Sequence, residues 1–180
     1  KDLQSTVRHF ADNQAKNGRI FDYFTTFPEK LPCERENWTK YVRTPVEADT
    51  EFRFIKAAWL AWQSTGDDTF IRDLMPSFEL ALGYAMGGRY FDKEKFLFRR
   101  PYTIDTWDFA YTAGRHEWLQ FQITDDTYSG YMHGDLSGYY EAFVLMAALH
   151  PRFGDERIAR YWERRASELR AAMNAACWNG

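Results

Sequence analysis

The sequence contains little of what several common classes of site require. It has two cysteines, at positions 33 and 177, too few and too far apart for a disulfide scaffold or a cysteine-ligated metal centre. Lysine and arginine form no basic run and the net charge is −3, so a nucleic-acid surface is not predicted. No apolar stretch is long enough to cross a bilayer. These absences predict a protein whose partners are neither nucleic acids nor membranes.

Motifs for cofactor chemistry are also missing. Gly87 and Gly88 follow a helical pattern and are read as its end, not as a phosphate-binding loop. His9, His116 and His150 lack metal-ligand spacing, and no serine lies in a nucleophile elbow, so we predict neither a cofactor nor a metal. Because the chain starts with Lys1 rather than Met, we expect that an N-terminal segment has been removed. The compartment and the oligomeric state stay open.

Aromatic residues, in contrast, are abundant at 18% of the chain, and many lie in segments without helical periodicity. Rings beside acids and amides bind sugars well, because the apolar face of a pyranose lies on a flat ring while its hydroxyls bond to polar groups. The alternative is that the rings fill the core. With 180 residues, 45% of them hydrophobic, the chain has the size of one globular domain.

Apolar residues recur at steps of three and four in two pairs of segments, which is the pattern of amphipathic helices. The pattern predicts two helical hairpins, over 50–86 and 136–177, and a further helix over Leu3–Gln14. Each hairpin turns at a Gly-Asp pair, and aspartate is a good helix-capping residue. Pro76 predicts a kink or a later helix start, and His150-Pro151 predicts the end of the third hairpin helix. The predicted fold class is mainly α.

The region Arg89–His133, between the hairpins, has a different pattern. Phe96, Phe98 and Tyr102 alternate with other residues, which indicates short strands or extended loops. A largely non-helical connection of this length inside a compact domain is usually functional. We therefore expect the functional residues to concentrate here and in the loops next to it.

The stretch RRPYTIDTWDFAY in this region sets two aspartates among aromatic rings. Asp108 lies between Trp107 and a phenylalanine, and apolar surroundings raise the pKa of a carboxyl group. Asp108 is therefore the first candidate for a catalytic general acid and Asp105 the second, with Trp107 and Tyr102 as rings that hold substrate. The alternative is that both aspartates cap turns or bond to the backbone.

The loop before the first hairpin, YVRTPVEADTEF, supplies further candidates. Asp49 is predicted to bond to sugar hydroxyls and Arg43 to orient a carboxylate, because charge-assisted hydrogen bonds are the stronger ones. The alternative for Asp49 is a capping role at the helix start. Glu47 and Glu51 are read as charges that stabilise the same helix start through its dipole.

The loop before the second hairpin, HGDLSGYYEA, has a similar character. His133 and Asp135 are predicted to bond to hydroxyls from the rim of a pocket, and Glu141 lies one turn further on. The alternative for Asp135 is that it caps a helix beginning at Leu136 or Ser137. In a complete enzyme, Asp135 or Glu141 is the best available base.

All three acid-bearing loops lead into a helix or lie between the hairpins. Stacked helical hairpins collect their loops at one end. We therefore expect Asp49, Asp108 and Asp135 at the same end of the helices, around one concave pocket lined by rings.

Long segments of the sequence resemble the six-hairpin, (α/α)6-toroid glycosidases, which include trehalases, glucoamylases, processing α-glucosidases and amylo-α-1,6-glucosidase-like proteins. The resemblance covers Trp38 to the end, and its most distinctive element is Thr106-Trp107-Asp108-Phe109, similar to the element that carries the general acid in several members. A terminal Cys177-Trp178-Asn179 also matches a recurrent family feature. The other matching segments are ADTEFRFIKAAWLAWQSTGDDTFI and YYEAFVLMAALHPRFGDERIARYWERRASELRAAMNAACWN.

The resemblance implies an inverting glycoside hydrolase that acts on an α-linked glucoside or related glycan, so that a carbohydrate substrate is the expected partner. A closed toroid has twelve helices and 180 residues hold five or six. We therefore expect residues 1–180 to be the N-terminal part of one (α/α)6-type catalytic domain, a partial ring whose second catalytic carboxylate lies beyond Gly180. The alternatives are a non-catalytic helical-repeat module that binds carbohydrate or protein, and a toroid sugar epimerase or lyase, which the lack of paired histidines disfavours.

Overall fold

A computed structural model of the protein describes residues 2–24, 40–43, 47–88, 90–101 and 129–178. These residues are mainly helical, which confirms the predicted class; the toroid arrangement stays a prediction. The helices are α1 (Leu3–Asp12), α2 (Thr50–Thr65), α3 (Asp68–Gly87), α4 (His133–Phe153) and α5 (Glu156–Cys177). Three antiparallel strand pairs accompany them: β1 (Tyr23–Phe24) with β2 (Tyr41–Val42), β3 (Phe91–Asp92) with β4 (Leu97–Phe98), and β5 (Arg100–Pro101) with β6 (Ser129–Gly130).

Both predicted hairpins form, and their turns use the residues that the sequence marks. Gly66 ends α2 in the left-handed region at φ 69°, a conformation that glycine adopts without steric cost. Asp67 then caps α3 by accepting hydrogen bonds from the backbone N–H groups of Thr69 and Phe70. At the second turn, Asp155 accepts from the N–H of Arg157 at the start of α5.

Four helix limits differ from the prediction. Pro76 lies inside α3, so it does not mark the start of that helix. α4 begins at His133, because the first helical bond runs from the Leu136 N–H to the Met132 carbonyl, and it continues past Pro151 to Phe153. Proline removes one N–H donor and crowds a carbonyl of the preceding turn, but the burial of Leu149 and His150 keeps the last turn in place. α1 stops at Asp12, since the side-chain amide of Asn13 donates to a carbonyl of its last turn.

The core lies between α2, α3 and α4, with α1 and α5 packed on either side. Aromatic pairs join the elements: Phe54 of α2 meets Phe78 of α3, and Phe143 of α4 stacks on Trp162 of α5. Phe98 of β4 stacks on Tyr139 of α4 with ring centroids 3.7 Å apart. Most aromatic rings of the helices therefore pack in or against the core, which was the alternative to a sugar-binding role for them.

The region between the hairpins is non-helical where it is described, over residues 90–101 and 129–132. The alternation at Phe96 and Phe98 corresponds to the β3–β4 pair, while Tyr102 lies outside the described residues. In the β5–β6 pair Pro101 is opposite Ser129, so the two described residues that flank positions 102–128 are neighbours. Within the described ranges, no helix combines the length and apolar character that spanning a membrane requires.

Gly18, in the loop after α1, packs against α3 at a point where no side chain fits. Its φ is 96°, and a Cβ there would overlap the backbone carbonyl of Leu80 in α3. We expect Gly18→Ala to lower the free energy of unfolding by about 1–3 kcal/mol more than Gly66→Ala, because overpacking adds to the strain of a positive φ. Gly66 also has a positive φ but faces open space, so Gly66→Ala reports the backbone strain alone. The difference between the two variants is then the cost of the steric overlap at Gly18. Urea denaturation measures both; equal losses would contradict the close approach.

Candidate functional site

A buried ion pair holds the loop that leads into α2. Arg43 donates to both carboxylate oxygens of Glu51, from Nη1 at 2.9 Å and from Nη2 at 3.0 Å. The same guanidinium donates to the carbonyl oxygens of Ile20 at 2.7 Å and Glu47 at 2.5 Å. Only 3% of Arg43 and 1% of Glu51 are exposed. The network therefore fixes residues 47–51 relative to the chain around Ile20.

Electrostatics keep the buried Arg43 guanidinium charged. Burial favours the neutral form of Arg43, but the neighbouring carboxylates of Glu51 and Asp22 outweigh it and hold the pKa of Arg43 above its ordinary value. The carboxylate that Arg43 orients is thus that of Glu51. Glu51 lies in the first turn of α2 as predicted, yet its side chain serves this ion pair.

A cavity of about 820 Å³ lies where α2 and α4 begin, and Arg100 of β5 contributes to its wall. We call it the charged cavity, because four acidic and three basic side chains line it together with the rings of Phe52 and Tyr140. Its size is that of a small-molecule site. The charged residues are Glu47, Asp49, Arg53, Lys56, Arg100, Asp135 and Glu141.

Cations and carboxylates of the charged cavity form pairs. Lys56 Nζ lies 2.8 and 3.0 Å from the two carboxylate oxygens of Glu141. Arg53 Nε donates to Asp49 at 2.5 Å across one turn of α2. These two pairs draw both partners from the wall of the cavity, so the charges there are locally balanced.

The third pair joins the strand region to α4. Arg100 Nε lies 3.4 Å from Asp135 Oδ2, and Arg100 and Asp135 are only 6% and 5% exposed. Arg100 Nη2 also approaches Glu47 Oε2 at 3.4 Å. Arg100 therefore links the loop before α2 to the start of α4.

Glu47 combines a side chain that is 40% exposed with a raised pKa. Burial is the main cause that raises its pKa, to about 7, and the negative charges of Asp49 and Asp22 act in the same direction. The positive charges of Arg100 and Arg43 oppose the shift and are too weak to cancel it. Glu47 can therefore gain or lose a proton near neutral pH, which general acid–base chemistry requires.

Of the residues that the sequence singles out, the structure brings Asp49, Asp135 and Glu141 together in the charged cavity. Arg43 is buried behind it and does not line it. His133 is exposed at the first position of α4 and is also absent from the lining.

The capping alternatives for two of these aspartates are wrong. Asp49 occupies the N-cap position of α2, but its side chain makes no capping hydrogen bond. Asp135 is the third residue of α4, whose N-cap is Met132, because that helix starts earlier than Leu136. Both carboxylates are turned to ion pairs of the cavity instead of to the helix ends.

The strongest catalytic candidates, Asp108 and Asp105, lie outside the described residues, as do Tyr102 and Trp107. The chain that carries them leaves from Pro101 and returns at Ser129, which are paired across β5 and β6. Arg100, next to Pro101, lines the charged cavity. Pro101 and Ser129, the described residues on either side of positions 102–128, are thus close to a residue that lines this cavity.

Comparison of the chain with models of known protein families, with curated proteins and with solved structures gives no match. The resemblance to six-hairpin glycosidases therefore stays a prediction. In the described part of the chain, no three His, Cys, Asp or Glu side chains converge in a group suited to a metal ion. The function of the chain therefore has to be inferred from the residues that line the charged cavity.

Proposed function

We propose that the chain is a glycoside hydrolase that acts, with inversion, on an α-linked glucoside or related glycan bound in the charged cavity. The observation that carries the proposal is the convergence of four carboxyl groups, from the loop before α2 and from α4, in one cavity that also has two aromatic rings. Carboxylates bond strongly to hydroxyl groups, and rings pack on the apolar face of a sugar.

The charge balance of the cavity supports a neutral, hydroxyl-rich ligand. A phosphate or a carboxylate ligand would meet four acidic groups whose three neighbouring cations are already in contact with them. A neutral sugar adds hydrogen bonds to such pairs without separating them. This is the physical reason to prefer a glycoside over an anionic substrate.

Inverting hydrolysis requires two carboxyl groups with different protonation states. In the proposed reaction Asp108, as acid, gives its proton to the glycosidic oxygen while the bond from that oxygen to the anomeric carbon breaks. Water attacks the anomeric carbon from the opposite face, and its proton passes to a carboxylate that acts as base. The two products are the released alcohol and a sugar with inverted configuration.

Glu47 is the carboxylate that we assign as base. The bases named from the sequence, Asp135 and Glu141, are held by Arg100 and Lys56 and are better suited to bind hydroxyls. Glu47 lines the same cavity, and its pKa of about 7 matches proton exchange at neutral pH. The second catalytic carboxylate was expected beyond Gly180. In this proposal Glu47, within the chain, takes that role.

The pH dependence of turnover tests this assignment. A base must be deprotonated, so kcat/KM for an α-glucoside is expected to rise as the pH increases through about 7, the pKa of Glu47. Glu47→Gln removes this ascending limb and lowers kcat by about 10²–10⁴-fold. Steady-state kinetics between pH 5 and 9, on the order of two units either side of that pKa, measure both effects.

Glu141→Gln is the matched control, since Glu141 is a carboxylate of the same cavity paired with Lys56. We expect it to weaken binding and to leave the ascending limb in place. If Glu141→Gln removes the limb and Glu47→Gln keeps it, Glu141 is the base. A chain that binds glucosides and hydrolyses none of them is a binding module instead.

A further inference from the structure

A second cavity, of about 470 Å³, lies between α1 and α2. We call it the apolar cavity. Val7, Ile20 and Phe54 form its buried floor, and they are 3%, 0% and 5% exposed. Phe10, Ala57 and Leu3 continue the apolar lining, with Leu3 half exposed.

Polar groups in the wall of the apolar cavity are engaged with one another. The hydroxyl of Thr50 donates to Asp22 Oδ1 at 2.8 Å. Asp49 accepts from Arg53. The cavity consequently presents mainly carbon to a ligand, in contrast to the charged cavity.

The two cavities share part of their walls. Glu47, Asp49 and Arg53 line both of them. The loop that carries the two acids is fixed from behind by Arg43, which donates to the Glu47 carbonyl. A ligand that occupies both cavities must therefore pass these two carboxyl groups at the point where its polar and apolar parts join.

We propose that the charged and apolar cavities are two halves of one substrate site, which takes a glycoside with an apolar aglycone. The sugar occupies the charged cavity, the aglycone occupies the apolar cavity, and the glycosidic bond lies beside Glu47 and Asp49. This inference rests on the proposed function and adds to it the chemical class of the leaving group. A free oligosaccharide is a poorer occupant, because its hydroxyls would lose water against an apolar floor.

Binding of hydrolysis-resistant thioglucosides tests the inference. Octyl 1-thio-α-glucoside, below its micelle concentration, is expected to bind at least about tenfold more tightly than methyl 1-thio-α-glucoside, because several CH₂ groups leave water. Thr6 of α1 is exposed and lines the apolar cavity, so Thr6→Trp fills the cavity and removes the octyl advantage. Isothermal titration calorimetry measures all four affinities, and methyl thioglucoside is expected to bind both proteins equally.

Two further variants guard against an indirect effect. Thr69→Trp, at an exposed position of α3 that lines neither cavity, should keep the octyl advantage. Leu3→Asp, at the exposed rim of the apolar cavity, should reduce it without touching the floor. Thermal melting of each variant shows whether the fold is retained.

Several results would overturn the inference. Equal binding of the octyl and methyl compounds, an octyl advantage that survives Thr6→Trp, or 1-octanol binding as tightly as octyl thioglucoside each contradict a joint site. So does a dimer in sedimentation that Thr6→Trp converts to monomer, since the apolar cavity would then face a second copy. Failure of the proposed function looks different: no α-glucoside is hydrolysed while the octyl advantage and its loss in Thr6→Trp persist.

Discussion

Arg43→Met is expected to lower the free energy of unfolding by about 3–5 kcal/mol, because removing one partner of a buried ion pair leaves the other charge without compensation. The abandoned group is the Glu51 carboxylate, which is 1% exposed and receives two hydrogen bonds from Arg43. The carbonyl groups of Ile20 and Glu47 lose a donor as well. Chemical denaturation with a two-state fit measures the loss.

Arg53→Met provides the matched control. The Arg53–Asp49 pair lies on the same segment, but 72% of the Arg53 side chain is exposed, so its loss should cost less than about 1 kcal/mol. The double variant Arg43→Met with Glu51→Leu should recover part of the stability, since it removes the buried Glu51 charge, while Asp22, 3.5 Å from Arg43 Nε, still loses its partner. Equal losses for Arg43→Met and Arg53→Met would mean that the buried pair does not hold this loop.

The helices were predictable from sequence where local and tertiary signals agree. Ile71, Phe78 and Leu82 repeat at helical spacing along α3 and all are fully buried, so the periodic face of the sequence is the core face of the fold. The turn between α2 and α3 was located because Gly66 and Asp67 have strong local preferences of their own.

Local preference misled the prediction where packing decides. Pro76 and Pro151 do not end their helices, because neighbouring side chains such as Met75 and His150 are buried and hold the helix in place. Asp135 had the sequence signature of a cap, yet α4 begins two residues before it. Its partner Arg100 is distant in sequence, and no pattern in either segment identifies the pair.

The same limit applies to Glu47, which sequence reasoning missed together with the cations Arg53, Lys56 and Arg100 of the candidate site. Its local context, two acids before a helix, is typical of favourable charge at a helix N-terminus. Its pKa is raised mainly by burial, then by Asp49 and Asp22, and is lowered by Arg100 and Arg43; Asp22 and Arg100 come from distant parts of the chain. The nearest sequence signal was the repetition of acids in VEAD, and it pointed to Asp49, which does line the cavity.

The proposed general acid carries an expected kinetic effect as large as that of the base. Asp108→Asn should lower kcat for ordinary α-glucosides by about 10²–10⁴-fold, because an amide cannot protonate the leaving oxygen. Folding and sugar binding should be retained, since asparagine has nearly the same shape. The measurements are kcat, the affinity for a thioglucoside and the melting temperature, and Asp105→Asn is the matched control from the same segment.

The choice of leaving group identifies the chemical role of Asp108. α-Glucosyl fluoride needs little protonation to leave, so Asp108→Asn should hydrolyse it with a much smaller loss than it shows for α-glucosides. A residue that only binds sugar would weaken turnover of both substrates alike, and a residue that braces its loop would lower the melting temperature. If Asp108→Asn hydrolyses ordinary glucosides at the parental rate while Asp105→Asn loses activity selectively for poor leaving groups, the acid is Asp105. Either result still requires a base, and the ascending limb assigned to Glu47 should persist in both variants because neither substitution alters the charges that set its pKa, those of Asp49, Asp22, Arg100 and Arg43.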